Sequence, residues 1–405
     1  MSIALINIGD SCVGSSEGQL SGDAIICADG LITWIGDSAE VDHSTHQAVV
    51  DVAGATVIPG LIDSHVHTTF GDYTPRQKTV DFLESYVHGG TTSVISASEV
   101  HVPGRPTDVI GVKALAIAAQ RSFMTYRPSG MTVHAGSIIL EPGLTADDFA
   151  EVRAAGVWLA KAGFGAFASA REYVPVVHAA RNEGIVVMCH SGGGSIPGSK
   201  SKIDAELLLA MNPNIAGHIN GGPTALTRSE NRSIVDDGGE IALQIVQAGN
   251  LKSAIDIMEL ALEKGDLHRI LLATDTPTGT GVLPLGMLRM MAESASLGPL
   301  TGRQAIVAST GNVKAVYELA EGALVVGSPA NVVVIDAPLG SDAPDAISAL
   351  EIGDLPAVAV VITEGNLQLS KSRNTPPPIR PVVVTAHYPP AGRFGAADSA
   401  APTCC

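Results

Sequence analysis

Two rhythms of apolar and polar positions divide the chain. Residues 3–9, 22–28 and 31–36 alternate apolar and polar side chains, the period of a half-buried strand, and Ala28-Asp-Gly30 between the last two is a hairpin turn signal. Residues 47–52 and 55–58 extend this all-β opening. From His65 onward, short apolar runs alternate with segments of helical period. Strands are predicted at 90–96, 131–135, 157–161, 184–190, 215–218, 240–246 and 268–275, and helices at 77–88, 107–121, 145–155, 170–183, 204–211, 251–264, 285–294 and 302–309. Thr145, with Asp147 and Asp148 in the turn that follows, is a helix N-cap. After Asn312 short strands return at 323–326, 330–336 and 357–365.

About eight strand-helix units over ~250 residues have the size and order of a (β/α)8 barrel. The opening strands are too few to close on themselves, so the late strands are their natural partners. The fold class is therefore α/β: a TIM barrel over 58–317, with a small β-sandwich domain built from both chain ends, 1–57 and 318–370. Residues 371–405, rich in Pro and Ala, are expected as an extended tail that wraps a neighbouring subunit.

Composition agrees with many short elements joined by tight turns rather than with disorder: 45% hydrophobic residues, 4% aromatic, and 44 glycines. The net charge of −17 disfavours nucleic acid, whose phosphates need a basic footprint, and any anionic substrate must be held by local cations. The first residues lack a charged segment followed by a long apolar one, and no apolar run reaches the ~18 residues of a membrane span. A soluble, cytoplasmic protein without membrane partners is expected. Cys12, Cys27, Cys189, Cys404 and Cys405 have no zinc-knuckle spacing and are too sparse for a disulfide framework.

The chemistry gathers where apolar runs end. Val57-Ile-Pro-Gly-Leu-Ile-Asp-Ser-His-Val-His67 presents His65 and His67 two residues apart, so both side chains leave one face of a strand. Lys161, His190, His218 and Asp275 also end or closely follow apolar runs, and barrel active sites lie at those ends. Four neutral imidazoles and a carboxylate suit zinc, iron or a similar ion. Lys161 repels a cation as an ammonium and becomes a ligand only as a carbamate; a structural lysine beside a glycine-rich turn is the other reading. Arg76, Lys78 and Arg105 are candidates for a substrate carboxylate, with solvated surface charge as the alternative. His101 and His134 either line the mouth or are structural. Asn220, with Gly221 and Gly222, either meets a small-molecule substrate or forms the turn after the sixth strand.

Pro59-Gly-Leu-Ile-Asp-Ser-His-Val-His67, His190, His218, Asp275, Thr310-Gly-Asn312 and Gly327-Ser-Pro-Ala-Asn-Val-Val-Val-Ile-Asp336 together resemble the amidohydrolase superfamily over residues 1 to about 365. Gly71-Asp-Tyr-Thr-Pro-Arg-Gln-Lys-Thr-Val-Asp81, Pro103-Gly-Arg-Pro106, Ser195-Ile-Pro-Gly-Ser199, His218-Ile-Asn-Gly-Gly-Pro-Thr-Ala225 and Arg373-Asn-Thr-Pro-Pro377 are most similar to the enamidases within it. The resemblance implies two divalent ions, zinc or iron with manganese as a further option. His65, His67 and Asp275 would hold the first, His190 and His218 the second, and Lys161 would bridge them. Enamidases carry a glutamate at that slot, whereas hydantoinases and dihydroorotases carry a carboxylated lysine. The implied reaction is hydrolysis of a cyclic amide C–N bond in a small, carboxylate-bearing heterocycle, by a metal-bridging hydroxide with Asp275 as general base and acid. The implied assembly is a homo-oligomer, a tetramer. Two alternatives stay open: a deaminase or hydrolase of another C–N bond, such as a hydantoin or imide, and a catalytically silent barrel serving as a binding or assembly module.

Overall fold

The computed structural model describes residues 2–15, 17–68, 82–98, 104–194, 201–222, 224–277 and 281–386. The first strands are β1 (Ser2–Ile6), β2 (Asp10–Ser11), β3 (Ala24–Ala28), β4 (Leu31–Gly36), β5 (Ala48–Asp51) and β6 (Thr56–Pro59). A run of parallel strands follows: β7 (Leu61–Val66), β8 (Thr91–Ser96), β9 (Thr132–His134), β10 (Ile138–Ile139), β11 (Leu159–Ala162), β12 (Val186–His190), β13 (Ile215–Gly217), β14 (Ala242–Val246) and β15 (Ile270–Ala273). The chain closes with β16 (Val332–Asp336), β17 (Ala357–Thr363), β18 (Asn366–Leu369) and β19 (Val383–Ala386).

Both chain ends contribute to two five-stranded sheets, ordered β19-β5-β1-β3-β4 and β18-β17-β16-β6-β2. Their facing sides share one core, in which Ile3, Leu5, Ile25 and Val50 of the first sheet meet Val57, Val332, Val334 and Ile362 of the second. Asp29 and Gly30 turn the β3-β4 hairpin with positive φ at both positions (52° and 83°), the backbone that a two-residue turn requires. The second sheet is a middle layer. Val332 and Val334 face the sandwich while Val333 and Ile335 join the larger helix-covered core, so this strand is apolar on both sides instead of alternating.

The parallel strands form a three-stranded sheet, β7-β8-β9, and a six-stranded sheet, β10 to β15 in order. β9 and β10 follow one another within the same stretch, where the sequence predicts a single strand at 131–135. β15 leads back to β7: the Asp275 amide donates to the His65 carbonyl (2.9 Å) and the His67 amide to the Thr276 carbonyl (2.8 Å). Ile62, Ile95, Leu159, Met188, Ile215, Ala242 and Leu271 pack together between these strands.

The structure corrects several expectations. Residues 311–317, for which no element was expected, form a helix (Gly311–Tyr317) whose Val313 and Tyr317 pack on the apolar cluster between the parallel strands. Residues 323–326 are not a strand. Gly322 and Gly327 flank them with positive φ (95° and 92°), and Val325 and Val326 are exposed. In the described part of the expected extended tail, Val383–Ala386 adds an antiparallel strand beside β5. Strand β6 runs to Pro59, two residues past the expected domain boundary. Helices Arg228–Asp237 and Ala346–Ile352 were not expected; the first opens on a Thr227–Glu230 capping box, a signal present in the sequence. The helix expected at 77–88 is seen over 82–87, and its earlier part lies outside the described residues. Among the described residues no helix is long and apolar enough to cross a membrane.

Candidate metal centre

His65 and His67 leave the end of β7 on one side, as the strand period requires. The His65 ring Nδ1 lies 2.5 Å from Gln244 Oε1, and the His67 ring Nδ1 lies 3.2 Å from the Ser98 carbonyl oxygen. A carbonyl only accepts, so Nδ1 of His67 carries a proton and Nε2 is the nitrogen turned toward Asp275. The two Nε2 atoms lie 3.4 and 3.2 Å from Oδ1 of Asp275, just past β15 in left-handed backbone (φ 60°). One donor atom from each of the three residues falls within 4.8 Å of the others.

Lys161, on β11, is wholly buried with Nζ 3.5 Å from His65 Nε2 and 3.3 Å from the Met188 sulfur. Among the described residues no carboxylate is within ion-pair distance of it, and burial pushes its ammonium down to about 8 against the pull of Asp275. His190, ending β12, places Nδ1 2.7 Å from His218 Nε2, while its buried Nε2 has no hydrogen-bond partner among the described residues. The His65 and His218 rings lie 5.3 Å apart, so the two histidine pairs adjoin. Burial, reinforced by the Lys161 charge, holds the His65 imidazole well below its ordinary value and His218 at about 4; burial and the His218 neighbour do the same to His190. Burial works to raise the Asp275 carboxyl, but the imidazoles around it prevail and hold it below the usual carboxylate range. Imidazoles in buried positions beside an ionised, partly exposed carboxylate are the donor set that a borderline divalent ion takes.

Other expected residues have different partners. The Asn220 amide is spent on the Val246 backbone, donating to its carbonyl (2.9 Å) and accepting from its amide (2.8 Å). Arg105 pairs with buried Glu141 at 2.7 Å and donates to the Phe164 carbonyl. His134 meets Glu321 at 2.6 Å. Arg76, Lys78 and His101 lie outside the described residues. Sequence reasoning passed over Gln244, Ser98, Met188 and Asp63. Asp63, buried and raised to about 7 by that burial, accepts from the His65 amide (3.2 Å) and from the Thr274 amide (3.0 Å) and hydroxyl (2.5 Å). It ties the ligand strand to the segment that carries Asp275. A lone amide inside Ala242-Leu-Gln-Ile-Val246 was the signal for Gln244.

No family model matches the chain. Over 373 residues it is 44% identical to enamidase of Eubacterium barkeri, covering 92% of this chain and 96% of that protein. A solved structure of enamidase, described as a new member of the amidohydrolase superfamily, superposes with a TM-score of 0.89 at 42% identity over 95% of this chain and all of that one. Imidazolonepropionase of Cutibacterium acnes is 43% identical over 76 residues, 17% of this chain and 19% of that protein. This chain belongs to the enamidase family of the amidohydrolase superfamily.

Proposed function

We propose that this protein hydrolyses the ring C–N bond of a cyclic amide, in a small heterocycle bearing a carboxylate, with two divalent metal ions. The observation that carries the reading is the convergence of His65, His67 and Asp275 beside buried Lys161, in a chain 44% identical to enamidase. His65, His67 and Asp275 would hold one ion, and His190 with His218 the other; zinc and iron match the ligand set better than a hard ion. When bound, such ions supply Lewis acidity and lower the pKa of water.

Asp275 moves the proton. Held as a carboxylate, it accepts a proton from the attacking water and delivers it to the departing nitrogen, which leaves poorly as an anion. Lys161 is proposed as the bridge in carbamate form: its neutral Nζ adds to carbon dioxide with loss of one proton, giving a carboxylate. A pKa near 8 leaves far more neutral amine at neutral pH than a free lysine has. We also place the strands β7 to β15, with β9 and β10 together counted as the third, in one closed (β/α)8 barrel over 58–317, with the sandwich of 1–57 and 318–370 beside it, in a tetramer.

The test is a panel of cyclic enamides, lactams, imides and hydantoins, incubated with protein as purified, after chelation, and after zinc or iron is returned. Ring opening that disappears on chelation and returns with metal supports the reading. Ring opening that survives chelation would remove the ions from it, and an intact ring throughout the panel would remove the activity.

A further inference from the structure

Gln244 is the one polar side chain of the otherwise apolar strand β14, Ala242-Leu-Gln-Ile-Val246. Along β14, Leu243 and Ile245 face the helix-covered core and Ala242 joins the cluster between the strands, so the period of two turns Gln244 inward with Ala242. The side chain is wholly buried, and burying a primary amide is costly unless it is hydrogen-bonded. Both polar ends are used. Nε2 donates to the Ser64 carbonyl (2.9 Å) and lies 2.8 Å from the Ser64 hydroxyl, while Oε1 faces His65 Nδ1 at 2.5 Å.

These contacts fix one another. The Ser64 carbonyl can only accept, so the amide must present its nitrogen to Ser64 and its oxygen to His65. An amide oxygen also only accepts, so the proton of His65 must be on Nδ1. Nε2 is then the atom with the lone pair, and it is the atom that faces Asp275 and Lys161. The Ser64 carbonyl receives a second donor, the Tyr317 hydroxyl at 3.5 Å, from the helix that packs on the cluster between the strands.

We infer that Gln244 is a positioning residue for the first metal site: it selects the tautomer and the ring orientation in which His65 is a ligand, and Ser64 selects the orientation of Gln244. The inference rests on the metal-dependent reading above. Its role is distinct from core filling, because it predicts which replacements work. Gln244→Glu keeps an acceptor for His65 Nδ1–H and, held as the neutral acid by its burial, an O–H donor for the Ser64 carbonyl; Gln244→Leu keeps the bulk and loses both.

Parent, Q244L and Q244E are loaded with Co²⁺, and affinity is measured by chelator competition alongside the visible absorption of the bound ion. Q244L is expected to bind the ion about 10 to 100-fold more weakly, with an altered spectrum, and Q244E to recover the parent's affinity and spectrum. Q244L matching the parent in both readouts overturns the inference, as does a folded Q244E as weak as Q244L. Should Q244L not fold, Q244E decides alone, through retention or loss of the parent's cobalt spectrum. A parent that binds no cobalt, zinc or iron overturns the metal-dependent reading itself, a result separate from either variant's behaviour.

Discussion

His65 and His67 approach Asp275 with their Nδ1 atoms already committed to Gln244 and to the Ser98 carbonyl, whereas His190 and His218 meet each other at 2.7 Å and His190 Nε2 has no partner among the described residues. One pair is held in direction by Gln244 on β14 and by the Ser98 carbonyl just past β8. In the other, two ring nitrogens face one another, and one of them must carry a proton that an ion would displace. The first pair is therefore directed in advance, and the second takes its working form only with the metal.

The largest effect should come from the residue that joins the preset pair to the chemistry. Asp275→Asn is expected to lower kcat by roughly 10²- to 10⁴-fold; activity near the parent's would break the assignment of Asp275 as the proton carrier. Next is Lys161, between the pairs. Lys161→Ala should lose activity and regain part of it when a short-chain carboxylate such as acetate is added, read from initial rates across an acetate titration; an unassisted, fully active variant would mean that the lysine is no bridge. The contrast between the pairs is sharpened by His190→Asn, for which metal analysis should find a fall from two ions per chain toward one, with the His65 site still loaded.

The pH dependence of the metal-free fold is smaller. His218 has a folded value of about 4 against an ordinary value near 6.5, and His65 and His190 are depressed with it. Between those limits the unfolded chain takes up protons that the folded chain refuses, so stability present above pH ~6.5 is lost as pH falls toward 4. Thermal unfolding of chelated protein should show a falling Tm over this window, and metal-loaded protein a shallower fall. The smallest effect lies far from either pair: Thr227→Ala removes a helix cap and should cost about 1 kcal/mol in denaturant unfolding, with kcat unchanged.

What the sequence showed and what it hid follow the same division. That His65, His67, Lys161, His190, His218 and Asp275 lie at or near strand ends was readable, because apolar runs stop there. The partners of those residues were not readable. Gln244 lies 179 positions from His65, and nothing local says that its amide turns inward. For Arg105 and Asn220 local chemistry leaves substrate contact, surface charge and turn all open, and the partners that engage them, Glu141 and the Val246 backbone, come from tertiary contacts. In the fold, the Asp29-Gly30 hairpin was legible from two adjacent residues. The strand Val383–Ala386 was not, because a Pro-rich segment gives no sign of the sheet edge that receives it.

The most direct test of the account is the fate of a carboxylate-bearing cyclic enamide incubated with metal-loaded protein in oxygen-labelled water, with the product read by mass spectrometry. The account predicts an opened ring whose new carboxylate carries one labelled oxygen at the former amide carbon. An intact ring, or label only at a carbon that had borne an exocyclic amino group in a parallel amino-heterocycle, would contradict it.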